Sequence, residues 1–183
     1  MNCVDPIKHH EDIQNLYCAL KAHSERDYLL FKFAIHTGIK LNDLLHLTVA
    51  DIITERNQII THWEVCAAHE VHVVLPETLR QELQAYIDTE TLTSHDLLFQ
   101  SKRTKKGLSR QQAYRIVHAA ATEVGIPHIG LTTLRKTFAY HTYRSGVSLS
   151  IIQKYLGHQT AQETLKFIGE SSKHTPTMIA LDL

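Results

Sequence analysis

LTTLRKTFAYHTYRSGVSLSIIQKYLGHQTAQETLKFIG, residues 131–169, is the stretch of sequence that decides the fold. Apolar residues recur along it at helical spacing, and Gly146 and Gly157 interrupt that spacing at points where a helix can end. The pattern predicts three successive helices, over residues 132–145, 149–156 and 160–168. We therefore expect the last third of the chain to be helical.

The residues before this stretch continue the helical pattern and add a small sheet. Five helices are predicted there from caps, stops and apolar spacing, over residues 11–23, 25–38, 42–47, 76–87 and 110–125. Residues 58–65 and 71–75 are rich in β-branched and aromatic side chains, which is typical of short strands joined by a turn. The predicted fold class is mixed α+β, mainly α-helical with a small three-stranded antiparallel sheet.

Length and composition exclude several classes of protein. With 183 residues, 43% of them hydrophobic, the chain can bury a core, which excludes a disordered protein. Its 3 cysteines are widely spaced and form no CxxC pair, so we expect neither a disulfide framework nor a metal site. No apolar run approaches the roughly 18 residues of a membrane helix, and the N-terminus lacks a signal peptide's apolar segment. We expect a cytoplasmic protein with no cofactor and no membrane partner.

Charge is distributed unevenly along a chain whose formal net charge is zero. Residues 1–96 hold 7 Lys and Arg against 15 Asp and Glu, a net of −8, and residues 97–183 hold 12 against 4, a net of +8. Between Asp96 and Glu163 the only acidic residue is Glu123. A basic half can present a phosphate-binding face, although two solvated faces of opposite sign would give the same totals.

Two segments, taken together, resemble the tyrosine recombinase (phage integrase) family. Residues 29–52, LLFKFAIHTGIKLNDLLHLTVADI, are similar to the family's helix, Thr-Gly-x-Arg turn, leucine-rich short helix and Asp-Ile. Residues 131–169 are similar to its His-x-x-Arg, long helix, Leu-Gly-His and a tyrosine nine residues later. With the intervening helix and strands, the resemblance covers essentially the whole chain in order. It implies a recombinase catalytic-domain fold and double-stranded DNA as the partner.

The resemblance also implies which side chains cleavage requires. Members of this family cut DNA without a metal, through a covalent phosphotyrosine. Two arginines grip the phosphate oxygens because each planar guanidinium can bind two of them. A lysine in the hairpin protonates the leaving group, histidines assist proton transfer, and the tyrosine is the nucleophile. The family positions fall, in chain order, at Lys40, near residues 66–68, and at Thr132, Arg135, His158 and Phe167.

Most of these positions depart from the family pattern. Arg135 and His158 keep the family residue, while Lys40 keeps the charge but loses the bidentate geometry of arginine. Thr132 replaces a histidine, the hairpin holds no lysine, and Phe167 has no hydroxyl with which to attack phosphorus. We therefore predict that no family catalytic site is intact and that the chain does not cleave DNA by the family mechanism.

Basic residues near these positions are predicted to contact DNA. They are Lys40, Lys102, Arg103, Lys105, Lys106, Arg110, Arg115, Arg135, Lys136 and His158. The densest run leads into the helix that starts at Arg110, where the family has a DNA-contacting helix, and Gln111 and Gln112 are available beside it. Three other interpretations stay open: a solvated loop, an Arg135 paired with a carboxylate, and a His158 that only caps its helix.

Domain organisation and function follow from the same resemblance. We expect an N-terminal helical segment over residues 1–24, a catalytic-like domain over 25–170, a tail over 171–183, and no core-binding domain. The leading hypothesis is a DNA-binding, inactive recombinase-like protein that acts as an accessory or regulatory factor, for example of a mobile element. One alternative is an active short recombinase or nicking enzyme that uses another tyrosine. Another is an interaction module whose apolar tail docks on a second copy or on an active recombinase.

Overall fold

The computed structural model describes residues 4–64 and 71–170, and in that part of the chain it contains eight α-helices and two short β-strands. The helices are α1 (His10–His23), α2 (Glu25–Thr37), α3 (Leu41–His46), α4 (Glu77–Thr89), α5 (Arg110–Glu123), α6 (Leu131–Arg144), α7 (Leu149–Leu156) and α8 (Ala161–Phe167). The strands are β1 (His62–Glu64) and β2 (His72–Val74), and one 3-10 turn covers Val49–Asp51. All eight predicted helices are present, with ends within a few residues of those predicted.

The sequence signals for helix ends act as expected. Ser24 accepts a hydrogen bond from the backbone N–H of Asp27, and Ser109 forms a reciprocal capping box with Gln112. Gly38 ends α2 with a φ of 62°, in the left-handed region that favours glycine. A Cβ at Gly38 would also lie 2.2 Å from the Phe138 ring, so this position admits only glycine. That close approach brings the end of α2 against α6.

Helix α2 is the centre of the core. Leu29, Leu30, Phe31 and Phe33 are fully buried, and the helix packs against α1, α4 and α6. A second cluster joins the last three helices, and its buried members are Phe138, Ala139, Ile152, Tyr155, Leu156 and Ile168. Side chains of this size each contribute about 1.5–3 kcal/mol when they are buried. The C-terminal helices are therefore fixed by their own apolar cluster beside the main core.

The sheet is smaller than predicted. Strands β1 and β2 pair antiparallel, with Trp63 opposite Val73. Among the described residues, the expected third strand is reduced to a single antiparallel bridge between Ile53 and Ile59. Asn57, which has a φ of 57°, lies in the turn between these two residues. The mixed α+β fold class is confirmed, and the described part of the chain holds two strands in place of three.

Candidate functional site

Arg135 projects from α6 toward the end of α7. Its Nη2 donates a hydrogen bond to the carbonyl of Leu156 at 3.2 Å, and its buried Nε has no partner among the described residues. Burial lowers the pKa of the Arg135 guanidinium, while Tyr155 and Asp43 oppose that shift. Nowhere in residues 4–64 and 71–170 does a carboxylate pair with it within 4.0 Å. The alternative of a carboxylate-paired arginine is therefore not what the structure shows.

Three basic side chains from separate elements line one hollow of about 210 Å³ beside Arg135. Lys40 reaches it from the N-cap of α3, Arg110 from the first turn of α5, and Arg135 from α6, with Thr132 on the rim. We call these four residues the basic hollow. Lys40 and Arg110 are exposed, whereas Arg135 is half-buried. Such a cluster suits an anion that can accept several hydrogen bonds at once.

His158 follows the left-handed Gly157 that ends α7. Its Nδ1 lies 3.0 Å from the Thr164 hydroxyl, and its backbone N–H donates to the Gln153 carbonyl at 3.1 Å. Burial lowers the pKa of His158, Glu163 opposes the shift, and the charge of Arg135 lowers the pKa further. Thr164 is fully buried and fixes the ring from α8, a role that no sequence signal assigned to it.

Phe167 is the last residue of α8 and is half-buried against His158. The two ring centroids are 5.0 Å apart in an edge-to-face arrangement, a favourable geometry for aromatic pairs. The ammonium of Lys136 lies 5.4 Å from the Phe167 ring centroid. The position that the family pattern assigns to the nucleophile is therefore occupied by a packed phenyl ring beside His158.

Tyr155 does not supply a replacement hydroxyl. Its side chain is buried, and its hydroxyl donates a hydrogen bond to the carbonyl of Thr37. Burial raises the pKa of Tyr155 well above the usual value for a phenol. Tyr140 and Tyr143 are half-buried and pack against the second apolar cluster. The expected packing role is confirmed for Tyr155, which has no free hydroxyl for chemistry.

The predicted DNA-contacting residues of the loop before α5 are exposed, but they differ in their partners. Lys102, Arg103, Lys105 and Lys106 all face solvent. Lys102 forms an ion pair with Glu90 at 2.5 Å, so part of its charge is compensated. The loop is pinned by an antiparallel bridge between Gln100 and Gly107, which orders its base. The exposed cations therefore project from a fixed base.

The structure separates the basic residues of α5. Arg110 lines the basic hollow, whereas Arg115 lines a groove toward α1 beside Asp27 and Glu123. Five residues of helix rotate a side chain by about 140° from its starting direction, which accounts for the difference. The Gln112 side chain accepts a hydrogen bond from the Ser109 N–H at 2.8 Å and is committed to the cap.

Lys136 differs most clearly from its predicted role. Only 8% of it is exposed, and its ammonium donates to the Val4 carbonyl at 2.8 Å. A lysine that points inward in this way is not presented to DNA. Its neighbour Arg135 is one residue away and therefore turns toward a different face of α6.

Several predictions concern residues that the structure does not describe. The hairpin position near residues 66–68 and the apolar tail over 171–183 both lie outside the described residues. In the part of the chain that is described, no three His, Cys, Asp or Glu side chains are placed to hold a metal ion. The same part contains no helix that is long and apolar enough to cross a membrane.

Comparisons with known proteins agree on a single family. The sequence model of the "Phage integrase family" matches residues 8–174. The chain is 36% identical over 169 residues to "Probable integrase/recombinase YoeC" of Bacillus subtilis, covering 92% of this chain and 91% of that protein. It is 27% identical to "Tyrosine recombinase XerA" of Thermococcus onnurineus, over 90% of this chain but 58% of that protein. It is 28% identical over 155 residues to "Type 1 fimbriae regulatory protein FimE" of Escherichia coli K12, covering 80% of this chain and 76% of that protein.

Solved structures show the same fold. A crystal structure of XerA recombinase superposes with a TM-score of 0.74 at 21% identity, covering 96% of this chain and 68% of that one. The XerH site-specific recombinase bound to its difH substrate superposes with a TM-score of 0.68 at 20% identity, covering 91% of this chain and 51% of that one. The chain therefore spans about half to two thirds of the recombinases whose structures it matches.

Proposed function

This chain belongs to the phage integrase family, and on that premise we propose that it binds duplex DNA without cleaving it. The observation that carries the proposal is the phenyl ring of Phe167, which packs 5.0 Å from the His158 ring at the family's nucleophile position. A phenyl ring cannot form a phosphotyrosine bond. Tyr155, a buried tyrosine in the same apolar cluster, has its hydroxyl bonded to the Thr37 backbone.

The basic hollow supports retained DNA binding. Arg135, Lys40 and Arg110 converge on it from three elements, and the Arg135 Nε has no protein partner among the described residues. A phosphodiester bound in the hollow could accept hydrogen bonds from the exposed cationic side chains that line it. The related XerH recombinase was solved on a DNA substrate, which supports DNA as the partner here.

Cleavage needs proton-transfer groups and bidentate phosphate contacts in addition to binding, and the basic hollow lacks some of these groups. Thr132 occupies the rim where the family pattern has a histidine, and a threonine hydroxyl is a poor proton donor or acceptor near neutral pH. Lys40 supplies a point charge in place of the planar fork that grips two oxygens. A transition state that gains negative charge would therefore be stabilised less than a bound phosphate.

We assign the protein an accessory or regulatory role in DNA recombination. A DNA-binding relative of an active recombinase can occupy a recombination site and alter its use without cutting it. The relative named a fimbriae regulatory protein, at 28% identity, supports a regulatory setting. The protein could act in this way on the recombination of a mobile element.

Two assays on the intact chain test this function. Selection of bound fragments from random DNA, followed by gel shifts, is expected to recover preferred sequences whose binding weakens as salt rises. Suicide substrates containing the recovered sequence are expected to give no covalent protein–DNA adduct. Absence of any salt-sensitive binding would overturn the DNA-binding half of the proposal, and a denaturant-resistant adduct would overturn the other half.

A further inference from the structure

The residues before α1 form an ordered strap across the last helices. We use the term N-terminal strap for residues 4–8. Pro6 and Ile7 are buried, with Ile7 only 4% exposed. These residues are buried although they belong to no helix or strand, so the contacts that hold them are informative.

Three hydrogen bonds join the strap to α6. The Ile7 N–H donates to the Thr137 hydroxyl at 2.9 Å, and the Ile7 carbonyl lies 2.9 Å from Nε2 of His141. The Val4 carbonyl accepts from the ammonium of Lys136 at 2.8 Å. The Thr137 hydroxyl in turn donates to the Thr133 carbonyl at 2.7 Å, which leaves it as an acceptor for Ile7. Buried bonds of this kind are costly to break.

The strap also holds the residues that follow α8. The ammonium of Lys8 donates to the Gly169 carbonyl at 3.3 Å and pairs with Glu170 at 3.8 Å. It also lies 5.1 Å from the Tyr140 ring of α6. One five-residue segment therefore bonds both to α6 and to the chain just beyond α8.

Helix α8 depends on such contacts. It is 7 residues long, and a helix of that length is unstable in water without tertiary packing. Lys136 lies between the strap and the site, because it bonds to Val4 and contacts the Phe167 ring, which contacts His158. From these contacts we infer that the N-terminal strap is a positioning element that fixes α8 against α6 and holds His158 beside Arg135.

This inference concerns the free protein and does not rest on DNA binding. It makes the N-terminus a control point for the site: a partner or an attached segment that draws residues 4–8 off α6 would loosen α8. The basic hollow itself, built by Lys40, Arg110 and Arg135, has no contact with the strap among the bonds described above. Displacing the strap is therefore expected to affect His158 while the hollow stays assembled.

Matched threonine variants test the strap. Thr137→Val removes the acceptor for Ile7, and Thr48→Val makes the same chemical change at the capping box with Asp51, far from α8. In Thr137→Val combined with Lys8→Ala, amide hydrogen exchange of residues 161–168 is expected to accelerate about tenfold, as for the loss of one or two hydrogen bonds. The NMR titration of His158 is expected to move up toward the ordinary histidine pKa as its burial decreases. Thr48→Val is expected to change neither quantity.

Lys8→Ala alone provides a second variant in case the double variant does not fold, since the Lys8 side chain is 39% exposed. It is expected to shift exchange in residues 161–168 in the same direction by a smaller factor. Unchanged α8 exchange together with an unchanged His158 titration, while the Ile7 amide exchanges freely, would overturn the inference. An equal response in Thr48→Val would also overturn it, because the effect would then be general destabilisation.

Discussion

The basic hollow and the end of α8 are neighbouring parts of one site, and their chemistry differs. The hollow gathers Lys40, Arg110 and Arg135 from three elements. The end of α8 presents the ring of Phe167 to His158. One part can hold an anion, and the other offers no group that can attack it.

This difference separates two tasks that an active recombinase performs together. Holding a phosphodiester needs only cations and donors near its oxygens, and these can sit on rigid helix ends. Attack needs a hydroxyl aligned on phosphorus and an acid for the leaving group. Under the proposed function, the chain keeps the first set of groups and lacks the second, and we therefore predict that binding and cleavage are separable by substitution.

The largest expected effect on DNA affinity comes from Arg135, which lines the basic hollow and whose charge acts on His158 beside the end of α8. Arg135→Ala removes the half-buried guanidinium that lines the hollow and bonds to the Leu156 carbonyl. A hydrogen bond to a charged group contributes about 1.5–3 kcal/mol, so DNA affinity is expected to fall by about tenfold to a hundredfold. Gel shifts at fixed salt measure the change.

Two controls separate charge from geometry. Arg144→Ala removes an exposed arginine from the last turn of the same helix and is expected to leave affinity within about twofold, since Arg144 does not line the hollow. Arg135→Lys keeps the charge but loses the fork and is expected to fall between the two. Equal losses in Arg135→Ala and Arg144→Ala would show that the hollow is not the binding site.

The exposed cations of the hollow are expected to give smaller losses with a clear salt signature. Lys40→Ala and Arg110→Ala each remove one phosphate contact, so the slope of log affinity against log salt is expected to decrease by about one. Arg115→Ala serves as the control, because Arg115 faces the groove beside Asp27 and Glu123. A slope that falls with Arg115→Ala but not with Lys40→Ala would place the DNA on the other face of α5.

A still smaller effect is expected from pH. Burial lowers the pKa values of His36, His141 and His158 below the ordinary 6.5. The unfolded chain therefore binds more protons than the folded one in the window below 6.5, so stability is full above it and is lost as pH falls through the lowered values. Thermal melts from neutral pH to about pH 5 are expected to show a falling Tm.

Replacement of single histidines assigns this acid sensitivity to regions. His158→Gln is expected to remove the part of the pH-dependent loss in Tm that comes from the site. His141→Gln is expected to remove the part that comes from the strap, because His141 bonds to the Ile7 carbonyl. A melt of His158→Gln with the same pH dependence as the parent chain would show that the site does not contribute.

Much of the fold could be predicted from the sequence because its helix ends carry strong local signals. Ser24, Ser109, Gly38 and Gly157 cap or stop helices where they were expected to. The third strand could not be predicted correctly, since β-propensity does not show how far a pairing extends, and among the described residues Ile53 and Ile59 form only one bridge. Strand length here is a property of tertiary geometry.

The site was predictable in its aligned positions but not in its supporting contacts. Arg135, Lys40 and Thr132 were expected from the family pattern, and the structure places them at one hollow. Lys136 was expected to face DNA because it is basic and adjacent to Arg135, yet it bonds to Val4 in the interior. Charge in a sequence does not show which face of a helix a side chain takes when a distant segment supplies its partner.

The smallest expected effect is the most direct test of the comparison between the two parts. Phe167→Tyr adds the missing hydroxyl beside His158 while leaving the basic hollow unchanged. DNA affinity is expected to stay within about twofold, because an added phenol at this position makes no new charged contact. A suicide substrate is expected to trap no covalent adduct, since Thr132 and Lys40 still lack the proton-transfer and bidentate groups that cleavage requires.

A variant that also restores the proton-transfer and bidentate groups extends this test. Phe167→Tyr combined with Thr132→His and Lys40→Arg restores three family residue types around Arg135, and the sequence still has no lysine between Arg56 and Arg80 to protonate the leaving group. An adduct in this triple variant but not in Phe167→Tyr would show that the hollow, and not only the nucleophile, has lost function. An adduct in Phe167→Tyr alone would mean that a single missing hydroxyl separates binding from cleavage, because every other group needed would then already be in place.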